Sequence, residues 1–164
     1  TFTKTEPFAE YLPIVFITFT TEFALICRFD EIKRLYADIF MNEPWNDDWS
    51  DEARLQQYIR DLIGNNNSLT IGMFENDMLI GLSMGSILHW YSGIEYYIFE
   101  FCIKREKQGQ GMGTVFLEQI EEYIKKKQVS HIVLQTDRTV PAFRFYRKNG
   151  FVELENNVSL YKVF

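Results

Sequence analysis

Apolar and polar positions recur along this chain with two different periods, and the changes of period mark out its elements. Residues 22–29 (EFALICRF) form a compact apolar run and read as a strand. Ile32, Leu35, Tyr36 and Ile39 then fall at helical spacing, which predicts a helix over 31–41 capped by Asp30. The polar stretch 42–49 holds Pro44, Trp45 and Trp49 and reads as a loop. Ser50 is a suitable N-cap for a second helix, with Asp51 and Glu52 in the first turn, where the helix dipole favours negative charge. That helix reaches Ile63 and stops at Gly64.

Runs 69–75 and 78–90 read as a hairpin around Asn76 and Asp77, with Gly81 and Gly85 marking a bulge or a close backbone approach. Gly93 leads into a strand over 95–103. An amphipathic helix (114–128), a strand (129–136) and a short helix (141–148, ending before Gly150) follow. Two further strands, 151–155 and 158–164, complete the pattern. The order β-α-α-β-β-β-α-β-α-β-β predicts one α/β domain with a mixed sheet over 22–164. Residues 1–21 stand apart as an N-terminal extension to which the pattern assigns no role.

Composition narrows the class of partner. The chain has 164 residues, 46% of them hydrophobic, enough for one sizeable core. Its net charge of −6 argues against nucleic-acid binding and suits a cationic substrate. Cys27 and Cys102 both lie in apolar runs and read as buried free thiols. Together with the distant His89 and His131 they show no metal-ligand spacing, so no metal is expected. The apolar stretch 11–20 is too short to span a membrane. It follows Glu6 and Glu10 and lacks a small-residue cleavage site, so it is a poor signal peptide. The expectation is a cytoplasmic protein without a membrane partner.

The most informative chemistry is CIKREKQGQGMGT, from Cys102 to Thr114. A strand meets the basic residues Lys104, Arg105 and Lys107, then Gly109, Gly111 and Gly113, then a helix. Strand, glycine turn and helix N-terminus together present backbone N–H groups to an anion. A Walker A loop would need lysine after its last glycine, and the residues here are Thr114 and Val115. A dinucleotide fingerprint needs G-x-G-x-x-G, and here the third glycine is early. The third reading is acyl-coenzyme A.

Gln108, Gly109, Gln110, Gly111, Met112 and Gly113 match Q/R-x-x-G-x-G/A, and in this the chain resembles the GNAT superfamily of N-acetyltransferases. A second segment, Ala142-Phe-Arg-Phe-Tyr146-Arg-Lys-Asn-Gly150-Phe151, is similar to that family's A-x-x-F-Y-x-K-x-G-F. The resemblance covers about residues 22–164. It implies a sheet whose strands 95–103 and 129–136 splay apart, with acetyl-CoA as cosubstrate. Pyrophosphate would lie on Gln108 to Thr114, that is Gln108, Gly109, Gln110, Gly111, Met112, Gly113 and Thr114. Pantetheine would pair with the backbone of Phe101, Cys102 and Ile103. Phe145 and Thr139 are further cofactor-side positions; Thr139 stands where the family often has Asn, and its hydroxyl would cap the helix. Tyr146 matches the family tyrosine that protonates the departing thiolate.

A base is also needed, because a primary amine is mostly protonated at neutral pH. Glu100, a lone carboxylate in an apolar strand, is the first candidate, with Glu95 or a water relay behind it. Alternation puts Ile98, Glu100 and Cys102 on one face unless a bulge intervenes. The acceptor site would draw on Glu43, Trp45, Asp47, Asp48 and Trp49 and on Trp90 and Tyr91, aromatics and acids that suit an amine-bearing small molecule. The expected activity is acetyl transfer to a primary amine of an aminoglycoside- or polyamine-like molecule. A protein or peptide amine, or a non-catalytic acyl-CoA-binding module, are the alternatives, and a homodimer is compatible with the resemblance.

Overall fold

The computed structural model describes the backbone of residues 14–19 and 22–164, with side chains from Arg28 onward. Five strands form one sheet in the order β1-β2-β3-β4-β5: Ile14–Phe19, Ser68–Glu75, Met78–Trp90, Gly93–Ile103 and His131–Leu134. The first four are antiparallel neighbours, and β5 joins β4 in parallel. Helices α1 (Glu22–Phe40) and α2 (Glu52–Ile63) cover one face, where Ile32, Tyr36, Ile59, Leu82 and Met84 are buried together. Helix α3 (Met112–Lys125) covers the other, where Phe116 and Ile120 meet Tyr96, Ile98 and Ile103. Helix α4 (Pro141–Lys148) follows β5. The architecture is the expected α/β domain with a mixed sheet.

Several expectations are corrected. Residues 22–29 belong to α1, with Asp30 inside the helix rather than capping it. An unbroken apolar run satisfies strand and helix equally, and the outermost sheet position is filled instead by β1, paired from Ile14↔Glu75 to Phe19↔Thr70. Asp51, not Ser50, caps α2: its carboxylate accepts from the Arg54 N–H at 3.1 Å, while the Ser50 hydroxyl donates to Asp48. From α2, Leu55, Ile59 and Leu62 are buried, each worth roughly 1.5–3 kcal/mol of hydrophobic transfer. Helix α3 starts at Met112, two residues earlier than the pattern suggested, and ends at Lys125.

Residues 151–164 form no strand. They turn at the Asn157 N–H to Leu154 C=O bond (3.0 Å) and leave Leu154, Val158, Leu160 and Tyr161 exposed. A strand exists only where a neighbour completes its ladder, and β5 is just four residues long. Cys102 is the buried free thiol expected. The parallel expectation for Cys27 lies outside the described side chains.

The hairpin is as read, with Asn76 and Asp77 both at positive φ (50° and 63°), a tight turn matched to strand twist. Gly85 lies at an irregularity between β3 and β4, where an added Cβ would sit 2.3 Å from the Tyr97 carbonyl oxygen. Met84 pairs with Glu100 but Gly85 pairs with Ile98, so Phe99 is an extra residue in β4. The alternation therefore breaks. Ile98 faces α3 while Cys102 lies in the core beneath α1 and α2, and Glu100 reaches that same side.

Candidate functional site

The glycine turn is built from the end of β4. A single 3-10 turn, Arg105–Lys107, follows Ile103, and the Gln108 side-chain amide donates to the Ile103 carbonyl at 2.8 Å. Gln110 likewise donates to the Glu106 carbonyl at 2.7 Å. These two glutamines brace the turn. Gly109 and Gly111 stand at φ 72° and 81°, where a side chain is strained, and the space over both is open. No side chain caps α3, so its first-turn N–H groups are available to an external acceptor. Of the basic residues, Lys107 is tied to Glu75 at 2.5 Å. Met112 is buried, which leaves its backbone as the part facing the turn. Gly113 plays a different part: a Cβ there would come within 3.0 Å of the Phe145 ring.

Pairing between β4 and β5 runs from Glu95↔His131 to Ile98↔Leu134 and stops, while β4 continues to Ile103. Residues 99–103 thus have β3 on one side and no strand on the other. The opening begins at the Phe99 bulge. Its backbone edge is available to a ligand amide, in the manner of strand addition. The side chains there are already placed: Phe101 stacks on Phe116 (5.4 Å) and Phe145 (5.8 Å), and Cys102 and Ile103 are buried. The Thr136 hydroxyl oxygen, just beyond β5, is buried without a partner and borders the opening.

Glu100 projects beneath α1 and α2. Its Oε1 accepts from the Tyr58 hydroxyl at 2.5 Å and from the Tyr36 hydroxyl at 3.3 Å. Burial pushes its carboxyl above the usual range, the two phenols pull it back, and Asp47 adds to the rise. Tyr146, from α4, is buried edge-on against Phe101, Phe145 and Phe151. Burial first, then the neighbouring Cys102 and Glu100, push its phenol well up, so it keeps its proton at neutral pH.

Glu100 and Tyr146 border one pocket of about 210 Å³. Asp47 and Trp45 close its outer side, with Tyr36, Phe40 and Phe99 as aromatic walls. The loop is shaped by the Asp47 N–H bonding the Phe40 carbonyl at 2.8 Å. No lysine, arginine or histidine lines this pocket among the described residues.

Other expected residues lie elsewhere. Trp49 stacks on Tyr58 at 5.0 Å behind Glu100, and Asp48 is occupied by Ser50. Trp90 and Tyr91 border a wider groove beside β5 that shares Gln135, Thr136 and Tyr146 with the pocket, together with Glu95, whose Oε2 is 3.1 Å from His131 Nε2. Thr139 does not cap α4; its N–H and hydroxyl both donate to Asp137 at 2.8 Å, and Val140 is the capping position. Tyr36 and Tyr58 were missed as site residues because each sits on an apolar helical face and reads as core. The available signal was the phenol itself, a polar handle that needs a partner when buried.

Among the described residues no helix is long and apolar enough to cross a membrane. None of their His, Cys, Asp and Glu side chains are grouped in threes to hold a metal.

The family model described as "Acetyltransferase (GNAT) family" matches residues 29–151. No curated protein sequence matches significantly. Among solved structures, a possible acetyltransferase from Clostridium difficile 630 superposes with TM-score 0.76 at 14% identity, covering 92% of this chain and 98% of that one. An aminoglycoside acetyltransferase from an uncultured soil metagenomic sample, in complex with sisomicin, gives TM-score 0.70 at 16% identity, covering 92% and 96%. Ribosomal-protein-alanine N-acetyltransferase from Brucella melitensis biovar Abortus 2308 gives 0.68 at 12%, covering 92% and 100%. At these identities the likeness is one of fold.

Proposed function

The chain belongs to the acetyltransferase (GNAT) family, and from that premise we propose that it transfers acetyl from acetyl-CoA to a primary amine of a small cationic molecule. One observation carries this reading: a half-buried carboxylate, Glu100, and a buried phenol, Tyr146, share one pocket where β4 and β5 part. Acetyl-CoA, when bound, supplies the acetyl group as a thioester. Gln108 to Thr114 would hold its pyrophosphate through backbone N–H groups, and the open edge of residues 99–103 with the Thr136 hydroxyl would hold its amide-bearing arm.

Glu100 takes a proton from the bound ammonium, whose nitrogen then forms the new bond to the acetyl carbon. Tyr146 gives its proton to the sulfur as the carbon–sulfur bond breaks. The acetylated nitrogen passes its surplus proton to the phenolate, directly or through the medium, and Glu100 releases its own proton to the medium. Asp47 and Glu100 with aromatic walls favour a cation over a neutral or anionic acceptor. The pocket's 210 Å³ suits an aminoalkyl arm rather than a whole polycyclic ligand. The fold likeness to an aminoglycoside acetyltransferase supports a small-molecule acceptor, and that to a ribosomal-protein-alanine N-acetyltransferase keeps a peptide amine as the second reading.

The test is thiol release from acetyl-CoA across aminoglycosides, polyamines, amino acids and peptides. Acceleration by a cationic small amine supports the reading. Tight coenzyme binding with no acceleration by any amine would replace it with a binding module.

A further inference from the structure

Tyr58 has no place in the reaction as read above, yet it makes the shortest contact on Glu100. It rises from the middle of α2 and does not line the pocket; it stands behind the carboxylate. Its ring is held by Trp49, stacked at 5.0 Å, and by Tyr36 at 5.8 Å. Trp49 and Tyr36 are themselves edge-on at 5.6 Å, so three rings lock one hydroxyl in position. Both phenols donate to the same oxygen, Oε1. No side chain among the described residues bonds Oε2, and Glu100 borders the pocket.

We propose that Tyr58 is the positioning residue for Glu100: by fixing Oε1 it presents Oε2 to the amine and favours the ionised carboxylate. The proposal rests on Glu100 acting as base. A phenol can do this throughout the working range because burial and the nearby carboxylate keep it protonated, and hence a donor. The titratable groups facing Glu100 are few. Tyr36 from α1 and Tyr58 from α2 donate to it, Asp47 from the loop repels it, and Tyr146 from α4 and Cys102 on its own strand stay protonated. No cation among the described residues faces it, so of these the phenols alone oppose burial and Asp47. Removing the Tyr58 hydroxyl leaves that balance tilted toward the protonated acid, which cannot accept a proton.

The experiment follows Glu100 directly. Protein labelled with ¹³C at glutamate carboxyls is titrated by NMR, with the Glu100 resonance identified by its loss in Glu100→Gln. In Tyr58→Phe the Glu100 titration should move up by about one pH unit, the scale of one charge-assisted hydrogen bond. The acid limb of kcat/KM for the best amine of the panel should move with it. 3-Fluorotyrosine at position 58, a stronger donor of nearly the same shape, should move the titration the other way. It also keeps the test alive if the phenylalanine variant folds poorly. A lowered Tm with an unmoved Glu100 resonance in both proteins would reduce Tyr58 to a packing residue. Full turnover by Glu100→Gln would instead overturn the base assignment, whatever the resonance does.

Discussion

Strand β4 carries two carboxylates five residues apart, and they live in different chemical worlds. Glu95 lies where β4 is paired on both sides, and its Oε2 meets His131 at the border of a wide groove. Glu100 lies past the Phe99 bulge, where one side of the strand has no neighbour, and it meets only phenols and a second acid. The first is an ordinary ion-pairing arrangement. The second is a half-buried acid without a cation among the described residues, a costly arrangement that structural roles alone rarely require. The difference lies in what flanks each acid: β5 ends opposite Ile98, and the strand beyond it begins with the extra residue Phe99.

Gly85→Val should break the contrast most severely. A side chain there would meet the Tyr97 carbonyl oxygen and the Tyr96 ring opposite the bulge. Overpacking of this kind is destabilising, so the expected outcome is a chain that is insoluble or melts several degrees lower, read by thermal unfolding. Next comes the pair Glu100→Gln and Glu95→Gln. With a good acceptor, the first should lower kcat about 10²–10⁴-fold, the scale of a general base. The second should leave kcat within about twofold, since partly exposed pairs contribute little. Equal losses would erase the distinction between the two acids.

Gly111→Glu tests the other end of β4. Positive φ and the added negative charge should weaken acetyl-CoA binding more than about tenfold by calorimetry, while the Glu100 titration stays in place. The smallest effect is on stability. The folded-state carboxyl of Glu100 lies above its unfolded value, so its contribution is fully present below the unfolded pKa and is lost as pH rises through the folded one. Glu100→Gln removes that loss. Its Tm should therefore gain on the parent protein as the pH rises above the ordinary glutamate range, by a few degrees.

The parts legible in the sequence are the local ones. The Asn76–Asp77 turn, α2 with its stop at Gly64, the glycine turn before α3 and the segment around Tyr146 each announce themselves within about a dozen residues. Glu100 stood out because a charge in an apolar run is rare. What was illegible depends on distant partners. Residues 22–29 fit two elements equally until β1 takes the sheet edge. The Phe99 bulge depends on Gly85, which opposes it from another strand. Tyr36 and Tyr58 look like any aromatic on a buried face until Glu100 arrives from 64 and 42 residues away.

The contact between Gly113 and the Phe145 ring joins the two motifs by which the chain was first read. Phe145 in turn lies against Phe101 and Tyr146. The distance from the glycine turn to the Tyr146 hydroxyl is therefore set by a short chain of packed rings, one pair stacked and one edge-on. Such a linkage behaves like a gauge block: on the proposed function, it would fix how long a ligand must be between its phosphate and its reacting sulfur. A methyl group at position 113 would lengthen the gauge by a few tenths of an ångström. It would thereby mistune the turn and the phenol to each other while leaving each intact.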